Sequence, residues 1–573
     1  MQYLAVIETQ KTKSYLFASP FMRETRGASV LLDLLNRKRT REILAAYPTG
    51  SFEEVYLGGG SGRVLFADED LAVKFKRAVL NKYREGTASA RVAVEIVPRE
   101  TVAETFESFA SWVGRGVGKT GQHKLGRMEG IPIVGGRWLR PCTSCGAEPA
   151  ETMWREHGNH QLCRSCVKKR VEVNHLYSKV KPGDHGLPLK PETELVRRYT
   201  RGFIYSTLAH YCEAQGFSVR LPQDLNDIGE RSRPTNYMGF IYADGNRMGE
   251  TVKNIGNLFG EDAMAKQAYA AFSEIVDCAT RQAAVEAVME VVAPVHTEPD
   301  ERFIPAEFIM AGGDDLMLIV PADRAMDVAV LFMERYHRIT QELQWEYVRA
   351  GKLTRLFAPN GLTTSSGVVL AHTHYPVSDL MTLAGQLMKK AKVLSADRAK
   401  EGQETGTVDF MVLSEAGSNP VAERRRREYR GRSGRADLTE RPYTAEDAAR
   451  LLCRIRKLKA KDVPRSKLKA LYAAVFQSEA QATFDGLVIR ERLKATGVLG
   501  GGGPLDELFG ELDRFPFRHR ANGTMTTPLT EIVELYDFIQ PGSPVEVEAP
   551  RAQPDSKIHP GDNYPDTGGG GHQ

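Results

Sequence analysis

The sequence predicts an α+β protein with two related mixed domains, a four-cysteine helical insert between them and a helical C-terminal domain. Three observations support this. A strand, helix, hairpin, helix, strand order runs from residue 236 to about 415, a shorter copy precedes it, and two C-x-x-C pairs lie between the copies. The predicted domains are 1–105, 106–235, 236–415 and 416–544, followed by a disordered tail, 545–573, that is rich in Pro and Gly.

The longer copy begins with the strand in "NYMGFIYADGNRMGE" (236–250) and a helix at 266–292. A hairpin at 308–320 is followed by a helix at 322–343, a strand at 363–372, a helix at 377–398 and a strand at 406–414. This order is typical of the ferredoxin-like split βαβ fold, in which the third strand lies between the first two and antiparallel to both. The end of the first strand should therefore lie beside the hairpin tip.

The hairpin tip, "AGGDD", carries Asp314 and Asp315, and Asp244 ends the first strand. Three carboxylates at one sheet edge repel one another unless they share hard cations, so we expect two Mg²⁺ or Mn²⁺ ions there. Gly312 and Gly313 permit a tight turn and the close approach of a ligand. The alternative is an ordinary polar turn, in which Gly and Asp are common.

Two such metals are the usual device for phosphoryl or nucleotidyl transfer. The loop "DGNRMGE" at a helix N-terminus and the lysines of "LMKKAK" would meet phosphates, and a strand that starts with Ser-Gly would allow a nucleotide to come close. The residues predicted to bind nucleotide are Gly245, Asn246, Arg247, Met248, Gly249, Gly312, Gly313, Ser366, Gly367, Lys389 and Lys392.

The N-terminal copy has lost these carboxylates. Residues 55–83 repeat the hairpin and helix of 308–336, with Gly60 and Ser61 where the second copy has Asp314 and Asp315. Gln10 stands where Asp244 would be. We therefore expect the first copy to be degenerate and metals to bind only in the second.

Four cysteines, Cys142, Cys145, Cys163 and Cys166, form two C-x-x-C pairs separated by a short loop. Four thiolates at this spacing predict a structural, tetrahedral Zn²⁺ site, with a pair of redox thiols as the alternative. Further along, the basic run Arg424–Arg435 is either a solvated linker or a phosphate-contact patch for RNA.

Composition places few limits on function. The chain has 573 residues, 42% of them hydrophobic and 26% charged, and a formal charge of +4, which does not by itself indicate a nucleic-acid binder. No N-terminal signal pattern and no apolar run of membrane-spanning length occurs in the sequence. We expect a cytoplasmic protein without a membrane partner.

Five segments together resemble the large, polymerase-like subunit of type III CRISPR effector complexes, whose relatives include GGDEF-type cyclases. They are "YLFASPFMRETRGASVLLDLLNR", the cysteine segment with "CGAEPA", "YADGNRMGE", "AGGDD" and "SSGVVLAHTHYP" with "LMKKAK", spread from residue 1 to about 415. The resemblance implies two palm domains. The palm with GGDD would condense ATP into cyclic oligoadenylates, and the other would be inactive.

The resemblance also implies other effector subunits, guide RNA and target RNA as partners. It makes Asp244 and Asp314 the principal metal ligands, with Asp315 in support and Lys392 at the triphosphate. There are two departures from the family: no His-Asp dipeptide of an HD nuclease domain occurs, and Asn246 stands where members often have an acid. A stand-alone cyclase that makes a cyclic dinucleotide and a catalytically silent scaffold remain alternative functions.

Overall fold

The computed structural model describes residues 1–102, 105–126, 139–155, 159–177, 187–189, 204–260, 262–298, 301–413, 420–429, 438–461, 463–495, 517–519 and 525–541. Half of the Arg424–Arg435 run, residues 430–435, and all of the predicted tail, 545–573, lie outside these residues. None of the helices in the described part of the chain combines the length and apolar character needed to span a bilayer.

The described helices are α1 Thr12–Leu16, α2 Met22–Leu34, α3 Thr40–Leu44, α4 Glu69–Thr87, α5 Phe109–Gly126, α6 Arg164–Tyr177, α7 Ile204–Ala214, α8 Leu225–Gly229, α9 Met248–Phe259, α10 Asp262–Val291, α11 Ala322–Arg349, α12 Val377–Lys400, α13 Val421–Glu428, α14 Ala445–Ala460, α15 Arg465–Val475, α16 Glu479–Ala495 and α17 Leu529–Leu535. A π-helical turn, Leu35–Arg39, joins α2 to α3.

The described strands are β1 Tyr3–Gln10, β2 Phe52–Gly58, β3 Ser61–Phe66, β4 Arg91–Pro98, β5 Thr101–Val102, β6 Thr105–Phe106, β7 Thr152–Trp154, β8 His160–Leu162, β9 Leu187–Leu189, β10 Ser218–Leu221, β11 Tyr237–Gly245, β12 Val295–Glu298, β13 Glu301–Phe303, β14 Glu307–Gly312, β15 Asp315–Pro321, β16 Thr364–His372, β17 Thr407–Val412, β18 Tyr443–Thr444, β19 Arg518–His519 and β20 Met525–Thr526.

The second palm is a six-stranded sheet in the order β14-β15-β11-β16-β17-β18. Strand β15 lies between β14 and β11 and is antiparallel to both, which confirms the predicted split βαβ topology. Strand β17 pairs in parallel with β16 and extends the ferredoxin-like core. The short β18 adds one more strand from the segment that begins the C-terminal helical region, so this region is anchored to the palm sheet.

Both faces of this sheet are covered, which explains why β11 is apolar along most of its length. Ile241 and Ala243 face a core that includes α10 and α11. Phe240 and Tyr242 face the opposite core, which includes α12. The sheet therefore exposes its strand ends, and the polar chemistry is confined to them.

The first palm has the same topology in a four-stranded sheet with the order β2-β3-β1-β4. Its hairpin closes with Gly58 opposite Ser61, as the second closes with Gly312 opposite Asp315. This register places Gly60 and Ser61 at the positions of Asp314 and Asp315. Glu8 pairs with Ser61, so Glu8 takes the position of Asp244 and the prediction of Gln10 there is wrong, because β1 and β11 align two residues away from their sequence match. The structure thus confirms that the chain contains two copies of one fold.

The four-cysteine insert packs on α2 of the first palm. Arg170 donates to Glu24 Oε1 at 2.6 Å, and Ser144 also donates to the Glu24 carboxylate. A side chain at Gly27 would meet the backbone oxygen of Lys169 at 2.0 Å, so only glycine allows α6 to approach this closely. Helix α2 is consequently shared between the insert and the palm core.

Two predicted helices are longer than their sequence patterns indicated. Helix α10 begins at Asp262, and α11 continues to Arg349. The extension of α11 is stabilised by Gln344, which donates to the carbonyl groups of Thr340 and Ala358 while its own Oε1 accepts from the Ala358 amide. A buried polar residue in this role interrupts the apolar periodicity on which the prediction depended.

Candidate active site

The site lies where the end of β11 meets the tip of the β14–β15 hairpin. Ala243 pairs with Leu316 and is the last residue of β11 that pairs with β15, so Asp244 lies next to Asp315. Gly313, with a φ of +60°, forms the turn. A Cβ at Gly245 would lie 2.9 Å from the Asp314 Cβ, so the glycine allows the tip to close against β11. The predicted proximity of the three aspartates follows from this arrangement.

Their electrostatics are those of crowded carboxyl groups. Burial, followed by the charges of Asp244 and Asp315, raises the pKa of Asp314 to about 7. Burial and the charge of Asp244 raise the pKa of Asp315 to about 6, although Lys13 and Lys392 oppose this increase. Negative charge at the tip is therefore only partly compensated by the protein near neutral pH.

Two lysines supply that partial compensation, one from each palm. Lys392 on α12 donates to Asp244 Oδ2 and to the Gly245 carbonyl oxygen, both at 2.7 Å. Lys13 on α1 donates to the Tyr242 hydroxyl, and its ammonium group lies 4.3 Å from the centre of the Tyr242 ring. The first palm thus contributes a cation to the site of the second.

The donor set fits Mg²⁺ or Mn²⁺, because it consists of carboxylate oxygens whose mutual repulsion a hard cation would relieve. Asp244, Asp314 and Asp315 would hold such ions. In the described residues, however, only the four cysteines have all of their ligand atoms within 4.8 Å of one another. The three aspartates are neighbours at a wider spacing.

The 245–249 loop leads into the N-terminus of α9. Arg247 has a left-handed backbone at the N-cap and pairs with Glu250 and Glu404, at 2.5 and 2.8 Å. Asn246 is buried, and its amide donates to Thr363 at 3.0 Å. The Asn246 side chain thus fixes the loop to the segment before β16. Met248 and Gly249 form the first turn of the helix.

The predicted nucleotide contacts on β16 are placed differently from the expectation. Ser366 and Gly367 are both buried, and a Cβ at Gly367 would lie 2.0 Å from the carbonyl oxygen of Ala384. The close approach that Gly367 permits on this face of the sheet is that of the α12 backbone. Lys389, in contrast, is exposed one helical turn before Lys392.

The turn also has supports that the sequence did not reveal. The Gly313 amide donates to Asp277 Oδ1 at 3.0 Å, and Thr280 Oγ1 donates to the Gly313 carbonyl oxygen at 2.7 Å. Asp277 is buried and also accepts from Arg37, which belongs to the first palm. The signal available in the sequence was an aspartate and a threonine on the apolar face of a long helix.

The four cysteines meet as their spacing predicts. The Cys145 and Cys163 sulfur atoms lie 3.8 Å apart, which matches the edge of roughly 3.8 Å of a tetrahedron with Zn–S bonds of about 2.3 Å. The Cys166 amide donates to Cys163 Sγ at 3.4 Å. This cluster could bind zinc.

Fold and site together define a palm domain of the nucleotidyltransferase-like class. Residues 237–400 match the family model described as Cas10/Cmr2, second palm domain. This segment is therefore similar to the second palm domain of Cas10/Cmr2 proteins. Comparison with curated proteins finds no significant match.

Solved structures of similar fold include Csm1 from T. onnurineus, with a TM-score of 0.51 and 14% identity over 93% of this chain and 70% of that one. A Csm1-Csm4 cassette in complex with cA4 has a TM-score of 0.47 and 14% identity over 94% and 69% of the two chains. A cassette with cA3 has a TM-score of 0.49 and 15% identity over 94% and 70%. The first of these establishes a shared fold.

Proposed function

We propose that the chain is the large subunit of a type III CRISPR effector complex and that its second palm converts ATP into cyclic oligoadenylates. The observation that carries this proposal is the convergence of Asp244, Asp314 and Asp315 beside Lys392, within a segment that matches the Cas10/Cmr2 second palm. Other effector subunits, guide RNA and target RNA would be its partners.

The residues of the site support this chemistry in defined ways. Asp244, Asp314 and Asp315 would hold Mg²⁺ or Mn²⁺, which supply charge neutralisation at the phosphates and activation of the attacking hydroxyl. The N-terminus of α9 offers free backbone amides to phosphate. Lys392 would have to exchange its bonds to Asp244 and Gly245 for a phosphate oxygen, and the exposed Lys389 would join it.

The first palm lacks acidic residues at its hairpin turn. Ser61 occupies the position of Asp315. Glu8 lies at the position of Asp244, and its carboxylate accepts from Arg63 at 2.7 Å, so this acid is already neutralised by a protein cation. We therefore assign transfer to the second palm alone. The intact second set argues against a silent scaffold, because the same chain shows what the loss of the acids looks like.

The test is product analysis by mass spectrometry after incubation with ATP and Mg²⁺ or Mn²⁺, with and without the guide complex and matching RNA. Asp314→Ala combined with Asp315→Ala should reduce product by several orders of magnitude, since both metals are needed for transfer. Ser61→Ala, at the corresponding turn of the first palm, is the matched control and should leave the rate near that of the wild type.

The products distinguish the alternatives. Cyclic oligoadenylates formed only with target RNA would support the proposal. Cyclic dinucleotides made by the isolated chain would instead indicate a stand-alone cyclase. Absence of any nucleotide product from the assembled complex would refute the proposal and favour a scaffold.

A further inference from the structure

We propose that α2 and its π-helical turn hold the GGDD hairpin of the second palm at both ends, so that Arg37 and Asp277 are positioning residues for the metal-binding aspartates. The inference rests on the proposed function only in its assignment of those aspartates as metal ligands. If the inference is correct, metal binding by the second palm depends on side chains of the first palm.

The first connection between α2 and the hairpin lies at the start of β14. Arg26 on α2 donates from Nε to Glu307 Oε1 at 3.0 Å and from a terminal nitrogen to the Pro222 carbonyl oxygen at 3.1 Å. Both side chains of the Arg26–Glu307 pair are almost completely buried. Tyr205 donates to the same carboxylate at 3.2 Å. A buried charge pair with these additional partners fixes the position of the strand.

The second connection lies at the turn of the hairpin. A terminal nitrogen of Arg37 donates to both oxygens of Asp277, at 2.8 and 2.9 Å, and Arg37 Nε donates to Asp33 at 2.8 Å. Asp277 in turn accepts from the Gly313 amide. The residue before Asp314 is thus connected to the first palm through a single carboxylate.

The spacing of the two arginines matches the hairpin. Arg26 and Arg37 are separated by eleven residues, or about three helical turns and about 16 Å. The six steps from Glu307 to Gly313 cover about 20 Å of strand. Helix α2 also contacts β14. Helix α2 with its π-helical turn is therefore long enough to contact both ends of β14, the strand that leads into the turn.

The two palm hairpins also touch at their tips. A Cβ at Gly59 of the first palm would lie 2.7 Å from the Gly313 amide nitrogen, so neither tip can move independently. Arg37 lies on the π-helical turn, a distortion that is often found at functional sites. The degenerate palm would accordingly keep a structural role although its hairpin turn carries no carboxylates.

The test is Mn²⁺ binding to the full chain, measured by electron paramagnetic resonance of free Mn²⁺. The site is defined as the binding lost in Asp314→Ala with Asp315→Ala. Arg37→Gln and Asp277→Asn should each weaken this binding by roughly 10- to 100-fold, the usual effect of removing a residue that orients metal ligands. The double variant should lose little more than either single variant, because both break the same connection.

Arg39→Gln is the matched control. Arg39 lies on the same π-helical turn but forms an exposed pair with Glu42, at 2.7 Å, so its loss should leave Mn²⁺ affinity within about twofold of wild type. A second comparison avoids buried charges. Thr280→Val removes the hydrogen bond to Gly313 and should weaken Mn²⁺ binding, whereas Thr280→Ser keeps the hydroxyl and should restore it.

The number of Mn²⁺ sites and their affinity together distinguish a misplaced turn from a misfolded chain. A variant that merely unfolds in part has fewer sites of unchanged affinity, whereas a misplaced turn keeps the number of sites and lowers their affinity. Full occupancy at wild-type affinity in Arg37→Gln and Asp277→Asn would overturn the inference, as would a wild type without Mn²⁺ binding at the aspartates. Weakened Mn²⁺ binding in a chain that makes no nucleotide product would uphold the inference and reject the proposed function.

Discussion

Replacement of Asp314 by Asn should stabilise the fold in the absence of divalent metal ions. The pKa of Asp314 is about 7 in the folded chain, against an ordinary value of 3.8, because of burial and the charges of Asp244 and Asp315. Between these two values the folded chain binds more protons than the unfolded chain, so stability falls as the pH rises from about 4 to about 7. The Asp314→Asn substitution would remove that penalty without changing the shape of the side chain.

A raised pKa of this size corresponds to an upper limit of about 4 kcal/mol on the loss of folding stability at pH 8, at about 1.4 kcal/mol per pH unit. Asp314 is only half-buried, so solvent screens its charge and about half of this upper limit is expected. For a domain of this size, about 2 kcal/mol raises the Tm by about 4 to 8 °C. At pH 5 the gain should be less than half as large.

The assay is thermal unfolding of wild type and Asp314→Asn at pH 5 and pH 8. Buffers should be cleared of divalent ions on a chelating resin rather than with a soluble chelator, which would also strip the cysteine site. Asp397→Asn, in an exposed pair with Lys400, is the control and should change the Tm by less than about 2 °C. Saturating Mn²⁺ should raise the Tm of wild type at pH 8 and leave that of Asp314→Asn nearly unchanged.

The reasoning fails if Asp314→Asn lowers the Tm at pH 8 without metal, or if its gain is equal at both pH values. The first result would mean that the carboxylate makes a favourable contact, and the second that repulsion and burial do not govern its ionisation. Comparison with wild type at each pH cancels the titration of other groups.

Two further predictions concern the cations and the cysteines. Purified chain should contain one zinc by metal analysis, and Cys163→Ser with Cys166→Ser should remove it and lower the Tm of the insert; a fully folded chain without zinc or a substitute metal would contradict this. Lys392→Met should weaken ATP binding by about tenfold or more, and Lys389→Met by less, because Lys392 already lies at Asp244. Titration with ATP measures both affinities. A larger effect at Lys389 would mean that Lys389, and not Lys392, is the principal phosphate contact.

The features that were predictable from the sequence depend on local pattern. The Gly-Gly-Asp-Asp turn, the strand before Asp244 and the C-x-x-C spacing each lie within a few residues, so their geometry follows from hairpin register and side-chain type. The order of strands then brought Asp244 to the turn, because the split βαβ topology leaves little choice. The hairpin of the first copy could be recognised for the same reason, whereas its first strand, which lacks a turn to fix the alignment, was matched two residues out of register.

The supports of the turn could not be predicted, because they depend on tertiary distance. Arg37 and Asp277 are separated by 240 residues, and nothing near either residue indicates its partner. The neighbour of Gly367 could not be predicted for a related reason. A glycine that permits close approach does not reveal what approaches, and here it is the backbone of α12. Asn246 likewise has a hydrogen-bonding partner, Thr363, that lies far away in sequence.

The charges of the site explain why a degenerate palm is retained. Asp244, Asp314 and Asp315 are faced by Lys392 from the second palm and by Lys13 from the first. Three carboxylates opposed by two ammonium groups leave a net negative charge, which attracts a divalent cation. Without Lys13, burial and repulsion at Asp315 would be less opposed and its pKa would rise further. The first palm therefore contributes the charge of Lys13 as well as the connection of Arg37 to the turn. Neither contribution requires a metal-binding carboxylate in the first palm.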